Sequence, residues 1–161
     1  MWESMHPRIG QGVREGYEVI SLYECDTDSK VELVPRLGGN IVSFTKIINE
    51  ERIEIIATPP TLNTLVDLPT RWGNGVLFPY PGRVSNDQFV YRGHKITLPK
   101  DPTTGNAIHG MLRRQEWRIV DSGVSQRGEV WVRLHIGTDV SNIRQVEWPF
   151  KFNIYLRVSL K

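Results

Sequence analysis

The sequence predicts an all-β sandwich. Three observations carry that expectation. Its segments are short and rich in β-branched and aromatic residues, Gly, Pro, Asn and Asp punctuate them at near-regular intervals, and a helical period surfaces only once.

Taken in order, Tyr17–Tyr23 alternates as a half-buried strand, and Lys30–Val34 follows the Asp26-to-Ser29 turn cluster as its hairpin partner. After Gly38-Gly39 comes a strand over Ile41–Ile47, and Ile53–Ile56 returns from the turn Asn49-Glu50-Glu51. Between Pro59 and Pro69, Leu62, Leu65 and Val66 at i, i+3 and i+4 predict the one helical turn. Gln88–Tyr91, a tight turn at Arg92-Gly93 and Lys95–Leu98 form the clearest hairpin, with Phe89 and Tyr91 on one face and Ile96 and Leu98 on one face. Later strands are expected over Glu116–Val120, Val130–Ile136 and Phe152–Val158. The last runs to Lys161 with no closing turn, so the chain reads as cut within a strand pattern.

At 161 residues the chain is expected to be a single domain, residues 1–161, able to bury a core. A net charge of +2 from scattered residues argues against a nucleic-acid partner. No stretch reaches the ~20 apolar residues of a membrane helix, and the N-terminal MWESMHPRIG lacks the apolar segment of a signal peptide. Cys25 is the only cysteine, which fits a reducing compartment and a cytoplasmic location.

The segment GNGVLFPYPGRVSN, residues 73–86, places an arginine at the end of a Pro- and Gly-rich loop. The hairpin that follows goes out and back, so Gly82-Arg83 before it and Asn106-Ala107-Ile108-His109-Gly110 after it can meet at one end of a sheet. A guanidinium offers fixed donors to hydroxyls or carboxylates, and an imidazole can donate, accept or shuttle a proton. A surface arginine and a loop histidine bonded to backbone are the plainer alternatives. Trp72, beside the loop, is the best of the five tryptophans for a site edge, whereas Trp117, Trp131 and Trp148 read as packing residues. His6 falls in a terminus expected to be mobile, His94 at the hairpin turn, and His135 in a strand. No two histidines have the spacing of a metal pair, so no metal is expected. The glycine clusters lack the context of a phosphate or dinucleotide site, so no cofactor is expected. Arg113 and Arg114 open a phosphosugar reading, against the plainer one of a solvated basic pair.

With these residues in view, GNGVLFPYPGRVSNDQFVYRGHKITLP, followed by GNAIHGMLRRQEWRIV, resembles the aldose 1-epimerase (galactose mutarotase) family, as does VELVPRLGGNIVSF earlier in the chain. The resemblance runs over nearly the whole chain in order. Gly82 stands where many members carry Asn. The resemblance implies a galactose mutarotase-like β-sandwich, here its N-terminal portion, with a sugar bound over one sheet and its α and β anomers interconverted by acid–base ring opening. By position, Arg83 matches the family's sugar-binding arginine and His109 its first active-site histidine, while Asn106 opens the Asn-x-x-His-Gly motif as a further sugar contact. The family's second histidine, its sugar-binding aspartate and its glutamate base lie beyond the stretch that matches. Glu116 and Glu147 match none of them. Three functions are therefore expected to compete: an isomerase completed by another polypeptide, a non-catalytic sugar-binding module, and a truncated sandwich that self-associates. An exposed sheet edge would serve a homodimer or a complementing chain.

Overall fold

The computed structural model describes residues 6–144 and 147–161; Met1–Met5, the start of the terminal segment read above, lie outside them. Five strands form an antiparallel meander in sequence order: β1 (Arg8–Arg14), β2 (Tyr17–Glu24), β3 (Ser29–Val34), β4 (Asn40–Ile48) and β5 (Glu51–Glu54). A second sheet has the order β10-β9-β8, from β8 (Arg118–Val124), β9 (Val130–Gly137) and β10 (Asn153–Leu160). Between them lie one helical turn, α1 (Thr64–Asp67), and the hairpin of β6 (Gln88–Tyr91) and β7 (His94–Thr97).

Alternation explains the core. Every second side chain of a strand faces the same side, and register sets which of them meet. Ile20 lies opposite Leu33 and Leu22 opposite Val31. In the other sheet Leu134 faces Leu156 and Val132 faces Val158. These residues, with Val130, Ile136, Leu112 and Trp117, make one buried cluster between the two sheets. The reverse face of the larger sheet buries Val19, Val34 and Val42 against Leu62 and Leu65 around α1. The expected helix is thus a single turn. Leu62 and Leu65 are buried, but Val66 is 45% exposed, so the apolar stripe is narrower than its i, i+3, i+4 spacing suggested.

Three boundaries differ from expectation for identifiable reasons. The terminus expected to be mobile contains β1, paired with β2 from Arg8 opposite Tyr23 to Arg14 opposite Tyr17. Gly10 and Gly12 erase its alternation, and its side chains lie mostly outside the core. The strand expected over 53–56 is β5, 51–54, whose four residues are all exposed. The strand expected over 116–120 begins later and runs on to Val124. Trp117 is a core residue at the sheet's threshold, and Asp121-Ser122-Gly123, which reads as a turn, is paired strand. Gly123 is needed there, since a Cβ would come 3.2 Å from the Trp131 ring.

Turn chemistry closes the β2–β3 hairpin. The Glu24 carboxylate accepts hydrogen bonds from the Asp26 and Thr27 amides and the Thr27 hydroxyl. Burial raises its pKa, yet these donors prevail and leave it below the ordinary value.

Candidate sugar site

Residues 73–86 are irregular backbone held by single β-bridges rather than by a sheet. Asn74 bridges Ile41, Phe78 bridges Gly110, and Arg83 bridges Ile108. At the first contact the Asn74 amide donates to the Ile41 carbonyl and to Asn40 Oδ1, both at 2.8 Å. Asn40 is 1% exposed and also donates to the Pro69 and Trp72 carbonyls. At the second, the Met111 amide donates to the Phe78 carbonyl at 2.7 Å. Gly110 has φ +68, and a Cβ there would overlap the Phe78 carbonyl, so no other residue fits.

The third contact brings together the two segments that flank the hairpin. Val84 donates to the Ala107 carbonyl at 3.0 Å and His109 to the Gly82 carbonyl at 2.9 Å. Strict strand alternation would send Arg83 and His109 to opposite faces. The left-handed backbone of Gly82 (φ +70) and His109 (φ +60) breaks that alternation. His109 then turns its ring back so that Nδ1 accepts the Gly82 amide at 3.1 Å. A backbone N–H can only donate, so Nδ1 is the acceptor and the proton of the neutral ring sits on Nε2. That Nε2–H has no partner among the described residues. His109 is half-buried, and the Arg83 guanidinium is exposed with neither a hydrogen bond nor an ion pair among the described residues.

The other two candidate residues have different surroundings. Asn106 is exposed, and its amide nitrogen donates to the Thr104 carbonyl at 2.8 Å. That bond shapes the loop and leaves the side-chain oxygen open. Trp72 packs, half-buried, against the Val19–Leu65 cluster, and its indole N–H is buried without a partner. Of the remaining tryptophans, Trp117 is 1% exposed, Trp131 lies under Arg157, and Trp148 packs on Phe78, Phe89 and Phe150. His94 is exposed, whereas His135 meets Asn153 at 3.0 Å and lies against the Tyr155 ring. Among the described residues, no three His, Cys, Asp or Glu gather as a metal site would require.

Two aspartates that the sequence reading passed over hold the loop. Asp87, at the foot of the hairpin, accepts the Ala107 amide at 2.5 Å and pairs with Lys100 at 3.1 Å. The Ala107 bond and then Lys100 lower its pKa. Asp101, 4% exposed, accepts the Thr103 and Thr104 amides with one oxygen and Arg113 and Arg114 with the other, at 2.7 and 3.1 Å. Burial raises its pKa, but the two guanidinium groups outweigh burial and hold the carboxyl far below the ordinary range. A signal did exist: Asp101-Pro102-Thr103-Thr104-Gly105 is the pattern of a side-chain-capped turn. Arg113 is correspondingly neither a solvated cation nor free for a phosphate. It is 7% exposed and neutralised. Arg114 is tied to Asp101 and to the Val66 and Asp67 carbonyls.

Glu147 bonds Arg144 and Glu116 is exposed; neither enters the loop contacts. The loop with its left-handed histidine can therefore present an imidazole donor and a free guanidinium to one ligand, without a carboxylate base beside them.

Known proteins with this architecture were found by comparison. Of the structures similar to this chain, a galactose mutarotase-like protein from Clostridium acetobutylicum superposes with a TM-score of 0.83 at 19% identity, covering 98% of this chain and 46% of its own. A galactose 1-epimerase from Lactobacillus acidophilus NCFM gives 0.69 at 17%, over 98% of this chain and 45% of its own. A protein of Synechocystis sp. PCC 6803 gives 0.63 at 17%, over all of this chain and 47% of its own. These likenesses establish the galactose mutarotase-like β fold, and the chain spans less than half the length of each. The aldose 1-epimerase family model matches residues 22–161, from β2 through the His109 loop to β10, and by that match the chain belongs to the aldose 1-epimerase family.

Proposed function

We propose that this chain is an aldose-binding component of a mutarotase, with Arg83, Asn106 and Trp72 contacting the sugar and His109 acting on it. The observation that carries the reading is the state of His109. Its Nδ1 is occupied by the Gly82 amide, so its Nε2–H is committed as a donor. A donor of that kind suits the ring oxygen of a pyranose, where a proton must arrive as the ring opens. The anomeric hydroxyl must lose its proton at the same time to a base. Rotation about C1–C2 and closure with the roles reversed gives the other anomer.

The base is the divided part of the reading. Glu147 is held by Arg144, and the glutamate of the family pattern lies beyond the matching stretch. We assign this chain binding and ring-oxygen donation, and assign the base to a complementing polypeptide or second copy. The outer edge of β10 is the proposed junction. It is eight residues long with β9 on one side only, and such an edge is a template for pairing. The same facts support a second reading, a sugar-binding module without turnover. Both place the chain in the cytoplasm, in keeping with its single unpaired Cys25.

Polarimetry of freshly dissolved α-glucose and α-galactose separates them. An enzyme accelerates the decay of rotation above buffer, and His109→Ala abolishes the acceleration. A binding module leaves the decay at the buffer rate yet shows sugar-dependent shifts of His109 by NMR. Neither effect would refute both readings.

A further inference from the structure

The strap from Pro99 to Met111 has no regular secondary structure, yet it fixes the one residue whose backbone and ring are both constrained. Its stability must come from elsewhere than strand pairing. Asp101 gathers the turn by accepting the Thr103 and Thr104 amides. The same carboxylate binds Arg113 at 2.7 Å, and Arg113 Nε reaches back to the Gly110 carbonyl at 3.4 Å. Arg114 joins that carboxylate to the α1 backbone through the Val66 and Asp67 carbonyls. Thr103 adds a bond from its hydroxyl to the Asp67 carbonyl at 3.2 Å. The Arg113 backbone is fixed in turn, since Gly38 (φ +80) lies so close to it that a Cβ would overlap the Arg113 carbonyl.

We infer that Asp101 and Arg113 are positioning residues for His109: their buried pair locks the strap so that the imidazole keeps Nδ1 on the Gly82 amide and Nε2–H outward. The chain of contacts is continuous. Asp101 sets Arg113, Arg113 meets Gly110, Gly110 is pinned beneath Phe78, and His109 is the next residue along. From the other end Asp87 holds Ala107, two residues before His109. A histidine bracketed so closely has one ring orientation open to it, whereas a loop histidine without these anchors would sample both tautomers. What His109 then does for a ligand rests on the function proposed above. The locking itself does not.

The test reads the ring directly. In long-range 1H–15N spectra of the folded protein near neutral pH, wild-type His109 should show a single Nε2–H tautomer, unlike the exposed His94. Asp101→Asn should average that pattern while the amides of β2 and β3 keep their exchange protection. Arg113→Lys should restore it in part, because an ammonium can pair with Asp101 but lacks the planar fork that also reaches Gly110. If Asp101→Asn does not fold, Arg114→Gln, which removes the more exposed of the two partners, should move the same resonances less. An unchanged His109 tautomer in whichever of these variants folds would overturn the inference, as would loss of protection spread evenly through both sheets. Added galactose or glucose tests the functional reading separately. If sugar moves the wild-type resonance, Asp101→Asn should weaken binding by about tenfold, the scale of one misplaced hydrogen bond. If sugar moves nothing while the tautomer still depends on Asp101, the positioning role stands and the proposed function falls.

Discussion

In the sandwich, Ile20, Leu22, Val31 and Leu33 meet Val132, Leu134 and Ile136 across two sheets, and nearly all of them are shielded completely from water. Between residues 73 and 117 the chain instead crosses the sheet ends as loops, held by three single bridges, two buried aspartates and glycines too crowded for a side chain. The first region gains its stability from non-directional apolar burial, which tolerates small shifts of any one residue. The second depends on directional bonds whose geometry fixes individual backbone dihedrals. A site that must hold one imidazole in one orientation is better served by the second kind.

The comparison breaks most visibly at Trp117, the one large side chain that belongs to both regions. Its ring is 1% exposed in the sandwich core, and its amide donates to the Pro35 carbonyl at 3.1 Å. Trp117→Ala should cost about 3–5 kcal/mol, measured as the shift in urea midpoint. If the two regions unfold as one unit, tryptophan fluorescence and far-UV circular dichroism will report the same midpoint. Separate midpoints, with the loops failing first, would show that the polar anchors form an independent unit of lower stability.

Acid should separate the regions next. Asp101 and Asp87 both have pKa values below the ordinary 3.8. A depressed folded-state pKa adds stability that is complete above the unfolded value and is lost as pH falls through the folded one. The contribution of the strap is therefore intact at neutral pH and fades only below 3.8. In a 1H–15N titration the amides of Thr103, Thr104 and Ala107 should shift in that acid range, before the interior amides of β2 and β9 are lost. Glu24 is a control within the sandwich, since its lowered pKa should make the Asp26 and Thr27 amides respond while the strands they join stay paired. A simultaneous loss of strap and strand signals would erase the distinction between the regions.

The difference also explains what was readable in the sequence. Alternating apolar residues announce β2, β3, β4, β9 and β10, because period-2 burial leaves its mark on residue type. β1 left no such mark, since its side chains are mostly solvated and two of them are glycine. The meeting of Gly82-Arg83 with Asn106–His109 followed from the return path of the hairpin, and β6 and β7 supply that path. Its anchors did not follow. Asp87, Asp101 and Arg113 look like ordinary surface charges until the fold buries them, and residue type alone cannot distinguish an arginine in water from one enclosed with its carboxylate.

The smallest expected effect tests that last point most sharply, because the molecule contains its own control. Arg133 and Asp121 lie opposite one another on β9 and β8 and make two contacts, at 3.2 and 2.6 Å. By length and geometry this pair is at least the equal of Arg113 and Asp101 at 2.7 Å. What differs is water: the side chains of Arg133 and Asp121 are 44% and 41% exposed, against 7% and 3% in the buried pair. In water the attraction is screened, and each ion lost from the pair regains its hydration. Arg133→Ala should consequently cost less than about 1 kcal/mol, with most of that removed by added salt. Removing one partner of the buried pair leaves an uncompensated charge, for which about 3–5 kcal/mol is typical. Parallel urea denaturation of Arg133→Ala and Arg113→Ala measures the contrast. Equal losses would mean that burial does not set the strength of these pairs, and the polar anchoring of the strap would need another explanation.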